Sequence, residues 1–244
     1  IHILNAKAHL ENFSVVKGAV RGDIRSFEAD ERSGLRINEL SGVMLVDRGV
    51  IHVDDLKLRS NHSTLNMPRM HINGESWLQY KDYINSVQMD MEAVDSSISS
   101  NDIGYFAPRL RTWGITLDDV DVEYKGTVVD FEAKLHGVDI GENSRLKATA
   151  HVIGMPEWRT AKYIVGVEDM YLTAGDATML MNAVVDKPLP ERVMQIVEKV
   201  AWVESRATFG GRLDAFRVAG NFNTALGRIR EDVNIAKSKQ GRYG

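Results

Sequence analysis

The sequence predicts a mainly β protein with a few short α-helices, built on an antiparallel sheet that is apolar on one face and polar on the other. Three observations predict it. Apolar residues recur at every second place through many short stretches. The alternation slips by one residue at intervals, often beside glycine or an Asn/Asp residue. Three stretches carry helical spacing instead.

The strands come first along the chain. "KAHLENFSV" aligns Ala8 with Leu10, then Phe13 with Val15, and "LRINEL" aligns Leu35 with Ile37 before slipping to Leu40. "IHVDDLKL" sets Ile51 and Val53 on one face, and Asp54–Asp55 then shifts the phase to Leu56 and Leu58. Leu65 and Met67 resume it in "STLNM". "VVDFEAKLHGVDI" gives Val129, Phe131, Ala133 and Leu135, then shifts at Gly137 to Val138 and Ile140. "RLKATAHV" supplies Leu146, Ala148, Ala150 and Val152, and "GRLDAFRVAGNF" supplies Leu213, then Phe216, Val218 and Phe222. A one-residue slip would turn the oily set to the wrong side, so each slip calls for a bulge or a tight turn. A polar knot recurs between strands, in "SNHSTLNMPRMHI" (60–72), "ENSRLKATAHVIG" (142–154) and "NFNTALGRIREDVNI" (221–235). Each knot turns the chain so that successive strands deliver apolar residues to the same side.

The helical stretches follow. "SSNDIGYFAPRL" offers Ser100 as an N-cap, with Ile103, Phe106, Ala107 and Leu110 on one stripe. "GDATMLMNAVV" aligns Ala177, Leu180, Met181 and Val184. "PLPERVMQIVEKV" opens with Pro190 at a first helical position and aligns Val193, Ile196, Val197 and Val200. Each has one apolar stripe, so each is expected against the apolar face of the sheet. No linker rich in Pro, Gly or Ser separates the halves, and residues 1–244 read as a single β-rich segment.

Composition narrows the function. The chain has 244 residues, a net charge of −4 and 43% hydrophobic residues, ordinary values for a globular chain. Nucleic acid is excluded as a partner, because no basic stripe with aromatic platforms is present. The cysteine count is 0, which removes disulfides and thiolate metal sites. The longest apolar runs, "VMLV" and "VAWV", are four residues, against the roughly 20 that a spanning helix needs. Residue 1 opens inside an alternating stretch, as if cut from a larger protein.

Catalytic motifs are missing. The seven histidines are scattered singly, with no ligand partner at helical spacing, and His52, His71 and His151 fall on the polar phase of their strands. "VDDL" (53–56) and "DDVDVE" (118–123) lack the glycine-centred loop of a calcium site and read as strand charges that discourage aggregation. There is no G-x-S-x-G elbow and no P-loop. The ten methionines fit core filling, or an adaptable lining for irregular ligands. Trp77, Trp113, Trp158 and Trp202 read as core residues.

The chain resembles the TamB/AsmA-like group of envelope proteins, and within it a segment of the TamB-like proteins of Bacteroidetes. The resemblance spans essentially the whole chain. It rests on "SGLRINELSG" (33–42), "LKLRSNHSTLNM" (56–67), "SISSNDIGYFAPRL" (97–110), "ENSRLKATAHVIGMPEW" (142–158) and "DAFRVAGNFNTALGRIREDVNI" (214–235). It implies a long sheet curled into a taco-like groove, apolar inside, within a periplasmic, inner-membrane-anchored protein. It also implies phospholipid transport between membranes and a part in outer-membrane protein assembly, with an outer-membrane assembly protein as partner of the parent chain. No catalytic residue and no cofactor come with it.

The expected function is therefore a non-catalytic scaffold whose groove holds phospholipid acyl chains. Its candidate lining is Ile51, Val53, Leu56, Leu58, Leu65, Met67, Val129, Phe131, Leu135, Leu146, Val152, Leu213, Phe216, Val218 and Phe222. Two other readings stand beside it. One is an adaptor domain with a closed core and partner contacts on its edge strands. The other is a carbohydrate-binding or hydrolytic β-sandwich, in which the four tryptophans would have to supply the site.

Overall fold

The computed structural model describes residues 2–105, 108–184 and 190–236. The chain divides into two compact units, Ile1–Thr127 and Val128–Gly244, and each is an antiparallel meander. The first holds β1 (Ile3–Val16), β2 (Ala19–Glu31), β3 (Arg36–Asp47), β4 (Val50–Arg59), β5 (Thr64–Asn73), β6 (Gln88–Ser99) and β7 (Thr116–Gly126). A 3₁₀ turn, Trp77–Asp82, and helix α1 (Tyr83–Ser86) are inserted between β5 and β6; helix α2 (Ser100–Ile103) and a second 3₁₀ turn, Pro108–Thr112, lie between β6 and β7. The second unit holds β8 (Asp130–Ile140), β9 (Ser144–Ile153), β10 (Lys162–Thr173), β11 (Trp202–Arg212), β12 (Ala215–Thr224) and β13 (Gly227–Ala236). Helices α3 (Ala174–Val184) and α4 (Glu191–Val200) connect β10 to β11. Within each unit every strand pairs with its neighbours in sequence.

The phase slips read from the sequence are bulges. Asp55, at one of these slips, and Asp95 and Asp119, which the alternation does not single out, take φ of 52°, 44° and 50°, a left-handed backbone that Asp tolerates better than most residues. Asp54 faces Arg69 and Leu56 faces Met67, so Asp55 and Pro68 sit at the same height on neighbouring strands. Proline has no N–H to give to a ladder, and a bulge asks for none there. The groups freed at the β6 bulge are taken up locally. Asp95 N–H donates to Asp121 Oδ1 at 2.8 Å, and Asn66 N–H donates to Ser96 Oγ at 3.0 Å. By contrast, β11, β12 and β13 pair without a shift.

The helices are shorter than the spacing predicts in one case. The expected helix over 100–110 is α2 followed by a separate 3₁₀ turn, and Phe106 and Ala107 of its stripe lie outside the described residues. Its cap is Ser99, whose side chain accepts from Asn101 N–H, one place before the expected Ser100. Pro190 likewise stands at the N-cap of α4, one place before the expected first helical position. The insertion at 77–86 is not expected from the sequence, because its apolar residues, Leu78, Ile84 and the aromatics, follow neither a strand nor a long helical period. Helix α3 packs against α4 and β10.

Strands β4–β7 and β8–β11 are two copies of one arrangement. In the first, the β4–β5 turn is locked by Asp102 of α2. Its Oδ2 accepts from Ser60 Oγ at 2.5 Å and from His62 N–H at 2.9 Å. In the second, the β8–β9 turn is locked by Asp176 of α3, whose Oδ2 accepts from Ser144 Oγ at 2.5 Å and Thr173 Oγ1 at 2.9 Å. Ser63 and Ser144 correspond: Ser99 N–H donates to Ser63 Oγ at 3.0 Å, and Thr173 N–H to Ser144 Oγ at 2.9 Å. The helical excursions close alike, by Ser100 N–H to Ile115 O at 2.8 Å and Ala174 N–H to Ala201 O at 2.8 Å.

Candidate functional site: an apolar sheet face

The cross-strand register decides which candidate residues share a face, because directly opposed residues point to the same side. In the first unit Ile51 opposes Ile72, Val53 opposes Met70, Leu56 opposes Met67 and Leu58 opposes Leu65. The rows continue in both directions. Met44–Val53–Met70–Met91–Tyr124 is one, and Val46–Ile51–Ile72–Met89 is the next. The six candidates of this unit therefore lie on one face, together with Met44, Met70, Met89 and Met91.

In the second unit Phe131–Val152–Tyr163–Gly211–Phe216 forms a row. Phe209 opposes Val218, Ser205 opposes Phe222, Leu135 opposes Ala148 and Leu146 opposes Met170. Phe131, Leu135, Leu146, Val152, Phe216, Val218 and Phe222 thus share a face. Val129 and Leu213 do not belong to any strand. Val129 is in the bend before β8, where its carbonyl accepts from Gly154 N–H at 2.7 Å, and Leu213 is in the β11–β12 turn, 37% exposed. Alternation extends to both residues in the sequence, but the ladder stops short of them.

The two faces differ in chemistry. On the polar side Arg69 pairs with Asp90 at 2.7 Å and Glu92 at 3.2 Å. His71 meets Asp54 at 2.7 Å and stacks on His52 with ring centroids 3.9 Å apart, and His151 meets Asp130 at 2.7 Å. These are rows of exposed or half-exposed pairs that contribute little stability each. Asp55 and Asp119, considered above as calcium ligands, are bulge residues. Among the described residues no group of three or more His, Cys, Asp or Glu side chains is placed to hold a metal ion. A polar concavity of about 1020 Å³ lies beside the β4–β5 turn, but its charges are already paired, Arg36 with Asp30 at 2.6 Å and Arg59 with Glu39 at 3.3 Å.

The apolar side is covered incompletely. Val53, Leu56 and Val152 are 6%, 5% and 6% exposed, while Ile51, Leu58, Leu65, Met67, Phe131, Leu135, Leu146, Phe216, Val218 and Phe222 are only half-buried. The surroundings are nevertheless poorly solvating: burial pushes the Tyr124 phenol, on the Met91 row, up to about 12. Phe209 and Phe216 stand 4.9 Å apart and Tyr163 lies 6.5 Å from Phe209, within the range of favourable ring contacts. The first unit therefore lines its face with methionine and aliphatic residues, and the second with aromatics.

Helices α3 and α4 meet the ends of β10 and β11. A small apolar cavity of about 120 Å³ is lined by Leu172 and Val203, a cross-strand pair on the Met170 side, with Ala177 of α3 and Ile196, Val197 and Val200 of α4. Ile196 remains 60% exposed, so the stripe of α4 is not fully covered. No protein-family model, curated protein or solved structure matches the chain. The geometry defines a class all the same: an antiparallel β-meander protein with one-sided, half-buried apolar sheet faces.

Proposed function

We propose that this chain is a non-catalytic, lipid-handling scaffold, a segment of a TamB/AsmA-like periplasmic protein anchored in the inner membrane. Its apolar sheet face, curled into a groove, receives phospholipid acyl chains. Other parts of the parent protein meet an outer-membrane assembly partner. The observation that carries the reading is the row-by-row agreement of register and chemistry. Strand after strand delivers large apolar side chains to one face, and most of them stay half-buried. A face of that kind is stabilised by an apolar cover. Ten acyl methylenes laid on it would contribute about 8 kcal/mol, offset in part by the ordering of the chain.

Native mass spectrometry of protein purified from cells should show co-bound phospholipid, and delipidated protein should bind a fluorescent fatty-acyl probe. The variant Leu58→Asp/Leu65→Asp places two charges on one cross-strand pair of the face and should abolish probe binding to the first unit. Probe binding by this variant at the wild-type level, or none by wild type, would sink the proposal.

A further inference from the structure

We infer that the insertion between β5 and β6, and independently its counterpart between β9 and β10 in the other unit, are each built to seat in the interfacial region of a neutral phospholipid bilayer. The inference deepens the lipid-handling reading and rests on it for the identity of the partner. Both insertions are fixed at the base. Gly74 N–H donates to Gly49 O at 2.9 Å and Tyr80 Oη donates to the same carbonyl at 2.9 Å. Gly154 N–H donates to Val129 O at 2.7 Å and Tyr163 Oη to Trp158 O at 2.6 Å. Each insertion re-enters its sheet through a buried residue, Val87 at 2% and Ala161 at 1% exposure. Gly49 marks how close the first approach is, since a Cβ there would stand 2.7 Å from the Ser76 carbonyl carbon.

Segments held this firmly still present their largest apolar groups to solvent. Trp77 is 48% exposed, Leu78 71% and Tyr83 54%, and at the matching place Trp158 is 38% exposed. Tryptophan as a core residue, the expectation from sequence, is thus overturned at two positions. Indole and phenol rings with one apolar body and one polar edge suit the head-group boundary of a bilayer. Charge selects the kind of surface. Residues 74–86 carry Lys81 against Glu75 and Asp82, and residues 154–161 carry Arg159 against Glu157. Neither is the basic cluster that anionic lipid requires. Position supplies the remaining argument. The first insertion leaves and rejoins its sheet beside Ile72 and Met89, the second beside Val152 and Tyr163, and both pairs belong to the apolar rows. A bilayer contact there would stand next to the face that takes the acyl chains.

Flotation of the full chain with phosphatidylcholine vesicles tests this, using brominated phosphatidylcholine to quench tryptophan. Wild type should float and be quenched. Trp77→Ser/Leu78→Ser should lower vesicle partition about tenfold and Trp158→Ser severalfold, with unchanged melting temperature and unchanged binding of a soluble acyl probe. No partition of wild type, binding only to anionic vesicles, or partition indifferent to these substitutions would overturn the inference and leave a protein partner as the occupant. Acyl-probe binding is read separately: its loss in a wild type that floats strikes the groove reading and not the insertions.

Discussion

The turns at 60–63 and 141–144 are held by a serine–aspartate lock, and the turn at 224–227 is not. In the first two, a carboxylate from the helix after the next strand pair reaches back to the turn. In the third no carboxylate takes part: Thr224 donates from Oγ1 to Gly227 O at 3.0 Å and accepts from Leu226 N–H at 3.2 Å, and Ala225 N–H donates to Val200 O, at the end of α4, at 3.2 Å. All three look alike in sequence, with Asn, Ser or Thr ahead of a resumed strand. The difference follows from what comes next in the chain: α2 and α3 return to the locked turns, whereas no helix among the described residues follows β13. A long-range lock is possible only where a helix N-terminus is brought to a turn, and there it fixes the strand end and the helix start together.

The largest expected effect comes from removing the first lock. Asp102 is 7% exposed, and its Oδ2 satisfies a hydroxyl and a backbone N–H. Asp102→Ala leaves His62 N–H without this acceptor and buried Ser60 Oγ with only the longer contact to Ser63 O at 3.2 Å, and should cost about 3 kcal/mol. Asp102→Asn should recover part of this, because one amide oxygen in the place of Oδ2 still accepts from both Ser60 and His62 while the charge is lost. Asp176→Ala, at a more exposed lock, should cost about 2 kcal/mol. Urea unfolding of each variant measures this, and equal, negligible losses would remove the locks from the account of stability.

How much of this was legible in sequence depends on the range of the interaction. Period-two alternation marks β1, β3, β4, β5, β8, β9 and β12 but not β2, β6, β7, β10 or β11, and the slip at Asp54–Asp55 marks a bulge, because both signals are local. The apolar face followed, since a residue's side is set by its place in the strand: Leu56 with Met67 and Phe131 with Val152 oppose each other as same-face residues must. Val129 and Leu213 misled because a turn can carry an apolar residue in phase. The partners of Asp102 lie forty residues back, and no periodicity links Ser60 to it. Trp77 was read as core because an isolated tryptophan usually is, and only the fold shows the 77–86 insertion standing clear.

A second way to break the comparison acts on one lock only. Gly141 has φ of 63°, and a Cβ on it would run into Asp176 Oδ1. Gly141→Ala should therefore cost about 2 kcal/mol through backbone strain and displacement of the carboxylate. The same replacement at Gly18, also at positive φ (88°) but with open space around it, should cost less than Gly141→Ala. Equal losses would mean that strain alone, and not the lock, accounts for the effect.

Acid sharpens the comparison further. Burial opposes ionisation of Asp102, but hydrogen bonds from Ser60, His62 and Ser63 outweigh it and hold its pKa below the ordinary 3.8. Burial likewise opposes ionisation of Asp176, and the hydroxyls of Ser144 and Thr173 with the backbone of Asn143 and Glu142 reverse it. A depressed folded-state pKa means that the unfolded chain binds the proton first as pH falls. The stabilisation is complete above about pH 4 and is lost as the pH drops through the folded-state values. Asp102→Asn/Asp176→Asn should flatten the stability–pH curve below pH 4 and leave its slope near neutrality unchanged. An unaltered acid limb would show that other carboxylates govern acid unfolding.

The smallest effect belongs to the turn without a lock. Thr224→Ala removes two local hydrogen bonds at a place where Leu226 is 71% exposed, so water can replace what is lost. The cost should be about 0.5 kcal/mol, confined to amide exchange in β12 and β13. Those strands pair in ten unbroken steps from Ala215–Ala236 to Thr224–Gly227, and the rows Val218–Val233 and Phe222–Ile229 hold their register without help from the turn. If Thr224→Ala instead unfolds the hairpin as completely as Asp102→Ala unfolds its own, the closing threonine is the stronger device. The carboxylates of α2 and α3 would then be positioning the helices and not holding the strands.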